Sequence, residues 1–354
     1  MKKFIRFIAT IFAAVILAAA ALFGFLSVTE FKPESNEKSE VTGSAVSELE
    51  PGNSFSIVTW NIGYGALGDN ADFFMDGGKS VRTADSARLN ANLNDISDKL
   101  SSFDADIVFL QEVDRNSSRS GHVDELAMIS MSLDEYDCSF ANNFKVAFLP
   151  YPLPPIGKVD SGIATFSAYA VSSAERIQLP VPFSWPVSMV NLKRCLLCSR
   201  IPVKGTDKEL VLFNLHLEAY DDGEGKIAQT KMLAELLKAE IEKGNYVIAG
   251  GDFNQVFSTT DISDYPVLEG KWAAGEIDVS KISGGFSFLM DDKTPSCRSL
   301  DQPYKNAEKE NFQYYVIDGF IVYADLVVES FETRDLGFVS SDHNPVVMQV
   351  KLPE

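Results

Sequence analysis

The alternation of apolar and polar positions divides this chain into distinct stretches. The longest apolar run comes first: residues 7–28 carry no charge, and Lys2, Lys3 and Arg6 precede them. About 20 apolar residues span a bilayer, whereas a secretory signal needs an apolar core of roughly 7–15. The run therefore predicts an uncleaved, single-pass membrane anchor over residues 1–28, with the basic end cytoplasmic and the bulk of the chain outside. A secreted chain, cleaved near the small residues at 18–21, is the second reading. Residues 29–53 are rich in Glu, Ser, Lys, Thr and Pro and poor in large apolar side chains, which predicts a flexible tether. Residues 54–354 then carry the folded domain.

Within that domain, residues 55–61 alternate as a strand does, and residues 106–110 read as a second, fully buried strand. Helical spacing appears over 82–100, 123–133 and 226–242. The last of these places Ile227, Ala234, Leu237 and Ile241 on one face before Gly244 ends it. Between 136 and 217 the pattern changes to short strand-like runs broken by Pro and Gly, which predicts antiparallel sheet. Two proline-rich segments, 150–155 and 179–186, suit rim loops better than interior strands. Residues 247–249, 315–322 and 346–350 supply further strands. Many strands with a few amphipathic helices between them predict two packed sheets with helices outside.

Charge narrows the choice of partners. The chain has 354 residues and a formal net charge of −19, and setting aside the three cations of the anchor leaves −22 on the remainder. A chain so acidic is not expected to carry the broad basic face through which proteins hold nucleic acid, which leaves a local pocket for one phosphate as the alternative. The four cysteines are Cys138, Cys195, Cys198 and Cys297. Cys195 and Cys198 lie in a strand-like stretch where a spacing of three points them to opposite faces, so buried thiols are expected rather than a metal knuckle.

Several apolar strands end in the same kind of residue. Thr59-Trp60 leads to Asn61, Leu110-Gln111 to Glu112, and Asn214-Leu215 to His216. The run 246–249 leads through Gly250-Gly251 to Asp252 and Asn254, Val316-Ile317 to Asp318, and Ser340-Ser341 to Asp342-His343-Asn344-Pro345. In a strand, residues two apart point the same way, so Asp252 and Asn254 are expected side by side. The paired glycines are expected to let the backbone turn and a ligand approach. Two of the chain's three histidines fall in this set; His122 stands apart as a surface residue. Asp, Glu and Asn oxygens are hard ligands suited to Mg²⁺ or Mn²⁺. Glu112, with Asn61 and Asp342, is the expected metal set. Asp252 is the expected base that activates a water, and Asn254 the group that positions it. Asp318 is expected to orient His343, and His343 and His216 to bind phosphoryl oxygens. Residues 63–78 form a long glycine-rich loop, a candidate substrate lid. Lys79, Arg82, Arg115 and Arg119 are candidate phosphate contacts.

These motifs, in this order, resemble the endonuclease/exonuclease/phosphatase superfamily of DNase I-like, metal-dependent phosphoesterases. The similarity covers residues 55–351, and 162–167 also resemble the family's strand leading toward its site. Gly319-Phe320 follows Asp318 where many nuclease members carry a basic or aromatic residue next. The resemblance implies a four-layer α/β/β/α sandwich of two mostly antiparallel sheets flanked by helices. It also implies a divalent cation, usually Mg²⁺, and a substrate with a phosphoester bond. The expected activity is a membrane-anchored, extracytoplasmic phosphoesterase acting on a small or lipid-linked phosphate, as a monomer by default. A secreted or tethered nuclease and a catalytically silent binding protein are the alternatives.

Overall fold

The computed structural model describes residues 1–221 and 223–354. Its first element is α1 (Lys2–Val28), exposed along nearly all its length, with a mean hydropathy of 2.6 over its most apolar 18-residue window. The body is built on two seven-stranded sheets. One runs in the order β1 (Asn36–Ser39), β7 (Ser173–Gln178), β8 (Cys195–Pro202), β9 (Glu209–His216), β10 (Tyr246–Asp252), β16 (Asp318–Tyr323), β13 (Phe286–Leu289). The other runs β17 (Val327–Thr333), β18 (Val346–Lys351), β3 (Ser54–Asn61), β4 (Ile107–Asp114), β6 (Gly157–Ser167), β5 (Asp137–Leu149), β2 (Val41–Thr42). Each sheet is antiparallel except for one parallel pair, β9–β10 in the first and β3–β4 in the second. Two short ribbons complete the strands: β11 (Gln255–Phe257) with β12 (Gly275–Ile277), and β14 (Cys297–Arg298) with β15 (Tyr314–Tyr315).

Three apolar layers hold this arrangement. Between the sheets lie Phe55, Ile57, Phe109, Leu212, Ile248, Phe320 and Met348. α2 (Ser86–Phe103) covers the outside of the second sheet, setting Leu89, Leu93, Ile96 and Leu100 against Val58, Trp60, Val108 and Leu110; α3 (Glu125–Ser130) adds Ile129. α4 (Glu224–Glu242) covers the first sheet, with Leu233 and Leu237 against Val211, Phe213, Val247 and Ala249. The result is the expected four-layer α/β/β/α sandwich. Burying this much apolar surface is the main favourable term in folding. The two parallel pairs matter for the site, because both sheets thereby end their central strands at one edge.

Three expectations are corrected. Residues 29–53 are no flexible tether: β1 pairs with β7 and β2 with β5, and Leu49 is fully buried between the sheets. Short strands at a sheet edge need few apolar side chains, because backbone hydrogen bonds hold them, and composition does not register that. The folded body therefore begins before residue 54. Ile227, expected on the buried face of α4, is exposed, because that helix buries Gly225, Gln229, Leu233, Leu237 and Glu240 instead. The third correction concerns Gly250-Gly251. β10 runs straight through the pair to Asp252, and the backbone does not turn there. A Cβ at Gly250 would strike the Phe320 ring, and one at Gly251, whose φ is +147°, would strike the Leu215 carbonyl. These glycines admit neighbouring strands, not a ligand.

All four cysteines are buried and free, with Cys195 facing between the sheets and Cys198 facing α4, as their spacing predicts.

Candidate active site

The shared edge of the two sheets gathers the polar strand ends. Asn61 closes β3, and its Nδ2 donates to Asp252 Oδ2 at 3.0 Å and to Glu112 Oε1 at 3.3 Å. Its Oδ1 accepts from the Gly63 amide, which fixes the amide's orientation. Glu112 sits on β4 where the register with β6 slips between Leu110 and Val113, at a φ of +56°. A bulge of this kind re-aims one side chain off the sheet face, and left-handed backbone at a non-glycine residue is costly, so it persists where packing enforces it.

Asp252 occupies the centre. His216 Nε2 lies 3.5 Å from its Oδ2 and His343 Nε2 lies 3.8 Å away. Asn254 does not continue the strand beside it, as a two-residue spacing predicted. Its φ is +52°, its amide N–H caps Asp252 Oδ1 at 2.9 Å, and its side chain donates to the Leu217 carbonyl. Asp318 Oδ2 lies 2.8 Å from His343 Nδ1, so the imidazole is held by a carboxylate from β16. The loop carrying Asp342 and His343 is pinned to β3 from both sides. Ser341 Oγ donates to the Asn61 carbonyl and accepts from the His343 amide, and the Trp60 indole N–H donates to the His343 carbonyl.

Two further motif residues face inward instead. Gln111 Nε2 donates to Asn214 Oδ1 and to Thr59 Oγ1, and Asn214 Nδ2 donates to the Ala164 carbonyl, joining the two sheets beneath the site.

The electrostatics are those of charges packed away from water. Burial and the nearby Asp318 carboxylate push Asp252 up to about 7, against the opposing effect of His343 and the bonds from Asn61 and Asn254. Burial likewise pushes Asp342 to about 6, with Glu112 adding to the rise. His343 is raised well above its ordinary value; burial opposes this, but the Asp318 carboxylate outweighs it. His216 moves the other way, through burial and the Arg194 guanidinium, whose Nη1 donates to the His216 carbonyl and whose Nε bonds Glu218. Carboxylates driven upward together mark a place where a positive charge is called for. Glu112, Asp342 and the Asn61 side chain supply the hard oxygen donors that Mg²⁺ or Mn²⁺ prefers, so the donor set fits a divalent cation.

These groups floor a cleft of about 480 Å³. Loop 63–78 forms part of its wall through Tyr64, Phe74, Met75 and Asp76, where the sequence placed a lid. Burial and the neighbouring Asp342 push Asp76 to about 6, and it lies 3.4 Å from the Tyr220 hydroxyl on the opposite side of the mouth. Of the four candidate basic contacts only Arg119 lines the cleft, and its guanidinium is committed to Asp114 and stacked 3.7 Å over Tyr64. His122 is exposed, on Asn116. The sequence reading missed Asp76, Arg194, Glu218 and Tyr220. Arg194 carried a signal, a cation directly before an apolar strand; the others sit in loops whose folding no local pattern indicates.

The comparisons with known proteins bear on the fold and the family. None of the curated protein sequences compared matches. Among solved structures, an endonuclease/exonuclease/phosphatase from Beutenbergia cavernae is similar at a TM-score of 0.57 and 18% identity, over 85% of this chain and 72% of that one. TDP2 from C. elegans gives 0.53 at 16% identity over 85% and 76%. ANGEL2, described as a 2',3'-cyclic phosphatase, gives 0.54 at 15% over 90% and 99%. At these identities the likeness concerns the fold. A sequence model of the Endonuclease/Exonuclease/phosphatase family matches residues 58–343, from β3 to His343, and the chain belongs to that family.

Proposed function

We propose that this protein is a membrane-anchored, extracytoplasmic, divalent-metal-dependent phosphoesterase that hydrolyses a small or lipid-linked phosphate ester with an activated water. The observation that carries it is Asp252, a buried carboxylate set between the Nε2 atoms of two histidines and bonded by Asn61, whose amide also bonds Glu112. Asp252 orients and deprotonates the attacking water. His343, steadied by Asp318, donates to a phosphoryl oxygen, and His216 contacts the same group from the other side. Asn254 fixes Asp252 through its amide N–H, which is the positioning role its geometry supports. Glu112, Asn61 and Asp342 would hold Mg²⁺ or Mn²⁺, which when bound supplies Lewis-acid polarisation of the phosphoryl group. α1 has the length and composition for the anchor.

The test is hydrolysis of a panel of phospholipids, phosphometabolites and plasmid DNA, with and without Mg²⁺, run beside Asp252→Ala. Metal-dependent release from the first two classes, lost in the variant, supports the reading. Cleavage of DNA alone would replace it with a tethered nuclease. No hydrolysis, with a melting temperature that no divalent ion raises, would leave a silent binding protein, since an ion that binds the folded state must stabilise it.

A further inference from the structure

One wall of the cleft has no part in the chemistry above. Opposite the polar floor it is built from Phe74, Met75, Leu149, Tyr151, Phe183 and Val190. A free phosphometabolite has nothing to set against such a wall. A nucleic acid would meet Asp76, Glu112 and Glu218 in the cleft lining. The arginines there, Arg119, Arg194 and Arg298, are already bonded to Asp114, Glu218 and backbone carbonyls rather than free to track phosphates.

The wall also leads somewhere. Val190 ends the 3-10 turn Val187–Val190, and on that turn Met189 accepts a hydrogen bond from Ser27 Oγ of α1 at 3.1 Å. Just before the turn, the Trp185 ring lies 6.4 Å from Phe23 of α1, and Leu26 of α1 is buried. The chain leaving α1 is fastened to the same region. Glu30 pairs with Lys193 at 3.3 Å, Phe31 lies under the Arg176 guanidinium, and β1 follows directly into the first sheet. Residues 29–53 are thus a strap that holds the cleft mouth beside the C-terminal end of α1. A helix of 27 residues is about 40 Å long, enough to cross a hydrocarbon core of about 30 Å. With its basic end on the far side, its docked end falls at the outer interface.

At that end the rim loops present apolar side chains to solvent. Leu153 is 88% exposed, Tyr151 69% and Trp185 68%, and Met75 and Val187 are about half exposed. Exposed apolar groups clustered around a pocket mark an interaction surface, and Trp and Tyr suit the bilayer interface in particular.

We propose that the substrate is a phosphoester of a membrane lipid, taken from the bilayer that holds α1, with its hydrocarbon part lying along the apolar wall and its phosphate on the polar floor. This rests on the phosphoesterase reading of that floor. Water is the only co-reactant: its oxygen bonds to phosphorus, the ester P–O bond breaks, and the departing oxygen takes up a proton. Loops 150–155 and 183–187 dip into the interface and orient the mouth toward the lipid.

The test uses the full chain in phosphatidylcholine vesicles carrying phosphatidate and phosphatidylglycerol, with Mg²⁺ or Mn²⁺, beside a water-soluble nitrophenyl phosphate ester. The variant is L153S/W185S, at two positions outside the cleft lining. It is expected to lose roughly tenfold or more of the rate on vesicle lipid, since it withdraws two large apolar groups from the interface, and to keep the rate on the soluble ester. Lipids brominated in their acyl chains are expected to quench Trp185 fluorescence, read as the difference from Trp185→Phe. Hydrolysis of the soluble ester with no vesicle lipid turned over overturns the lipid inference and leaves the phosphoesterase reading standing. Equal loss on both substrates, or no quenching, does the same. Failure on both substrates overturns the reading beneath it, and this inference with it.

Discussion

β10 carries a buried carboxylate cluster at each end, and the two behave oppositely. Where the strand begins, Glu240 from the end of α4 receives both terminal nitrogens of Arg200, the Lys243 ammonium, and the side-chain amide of Asn245. Burial opposes its ionisation, but those hydrogen bonds hold its carboxyl down at about 2. At the far end of the strand, Asp252 is buried beside Asp318 and two imidazoles, and is pushed up to about 7. Burial acts in the same direction on both. What differs is whether donors saturate the carboxylate, and this separates a group that fastens a helix to a sheet from one left in need of a cation and a proton partner. A buried acid is thus no sign of function by itself. An under-compensated one at the edge of two converging sheets is.

Breaking the functional end should have the largest effect. Asp252→Ala is expected to reduce phosphoester hydrolysis on the order of 10²–10⁴-fold, the range of a positioned general base, while leaving the melting temperature near that of the parent. A thermal collapse would instead make Asp252 a structural group. His343→Ala should cost about 10²–10³-fold, with Asp318→Asn retaining part of that loss through a misoriented ring, visible as a fall in kcat rather than a rise in KM. Mg²⁺ or Mn²⁺ at about a hundredfold excess over its Kd should stabilise the protein by about 2.7 kcal/mol in thermal melts, and Glu112→Gln should remove most of that gain.

The structural end gives the smaller, complementary effects. Glu240→Gln should cost about 1–2 kcal/mol, between the limits for exposed and buried ion pairs, with turnover unchanged. Its pH dependence sharpens the contrast. The folded value of about 2 lies below the ordinary 4.5, so this contribution is fully present above pH 4.5 and is lost as pH falls toward 2. The stability gap between the parent and Glu240→Gln should therefore close over that interval in acid melts. A gap independent of pH would mean that packing, not charge, holds that end together.

How much of this was legible in the sequence follows from the range of the forces involved. Strand and helix patterns are local, so β3, β4, β10, α2 and α4 were readable from periodicity, with boundaries off by a few residues. The polar strand ends were readable because a charge that stops a buried run has no local excuse. Edge pairing is not local. β1 and β2 gain their order from partners far along the chain, Asn36 from Ile177 and Val41 from Ser139, and their composition reads as disorder. Gly250 and Gly251 were misread for the same reason, since what approaches them is a ring from β16 and a carbonyl from β9.

By itself, then, the sequence determined the alternation of elements, the apolar N-terminal run, the excess of acidic charge and the polar residues that end the buried strands. Each depends only on residue type and on neighbours along the chain. Tertiary structure alone decided that Asn254 supports Asp252 through its backbone, that Gln111 and Asn214 join the sheets, and that residues 29–53 strap the cleft to α1. The reason is physical: hydrogen bonds and desolvation depend on distances of a few ångströms between groups far apart in the chain, and no local pattern encodes them.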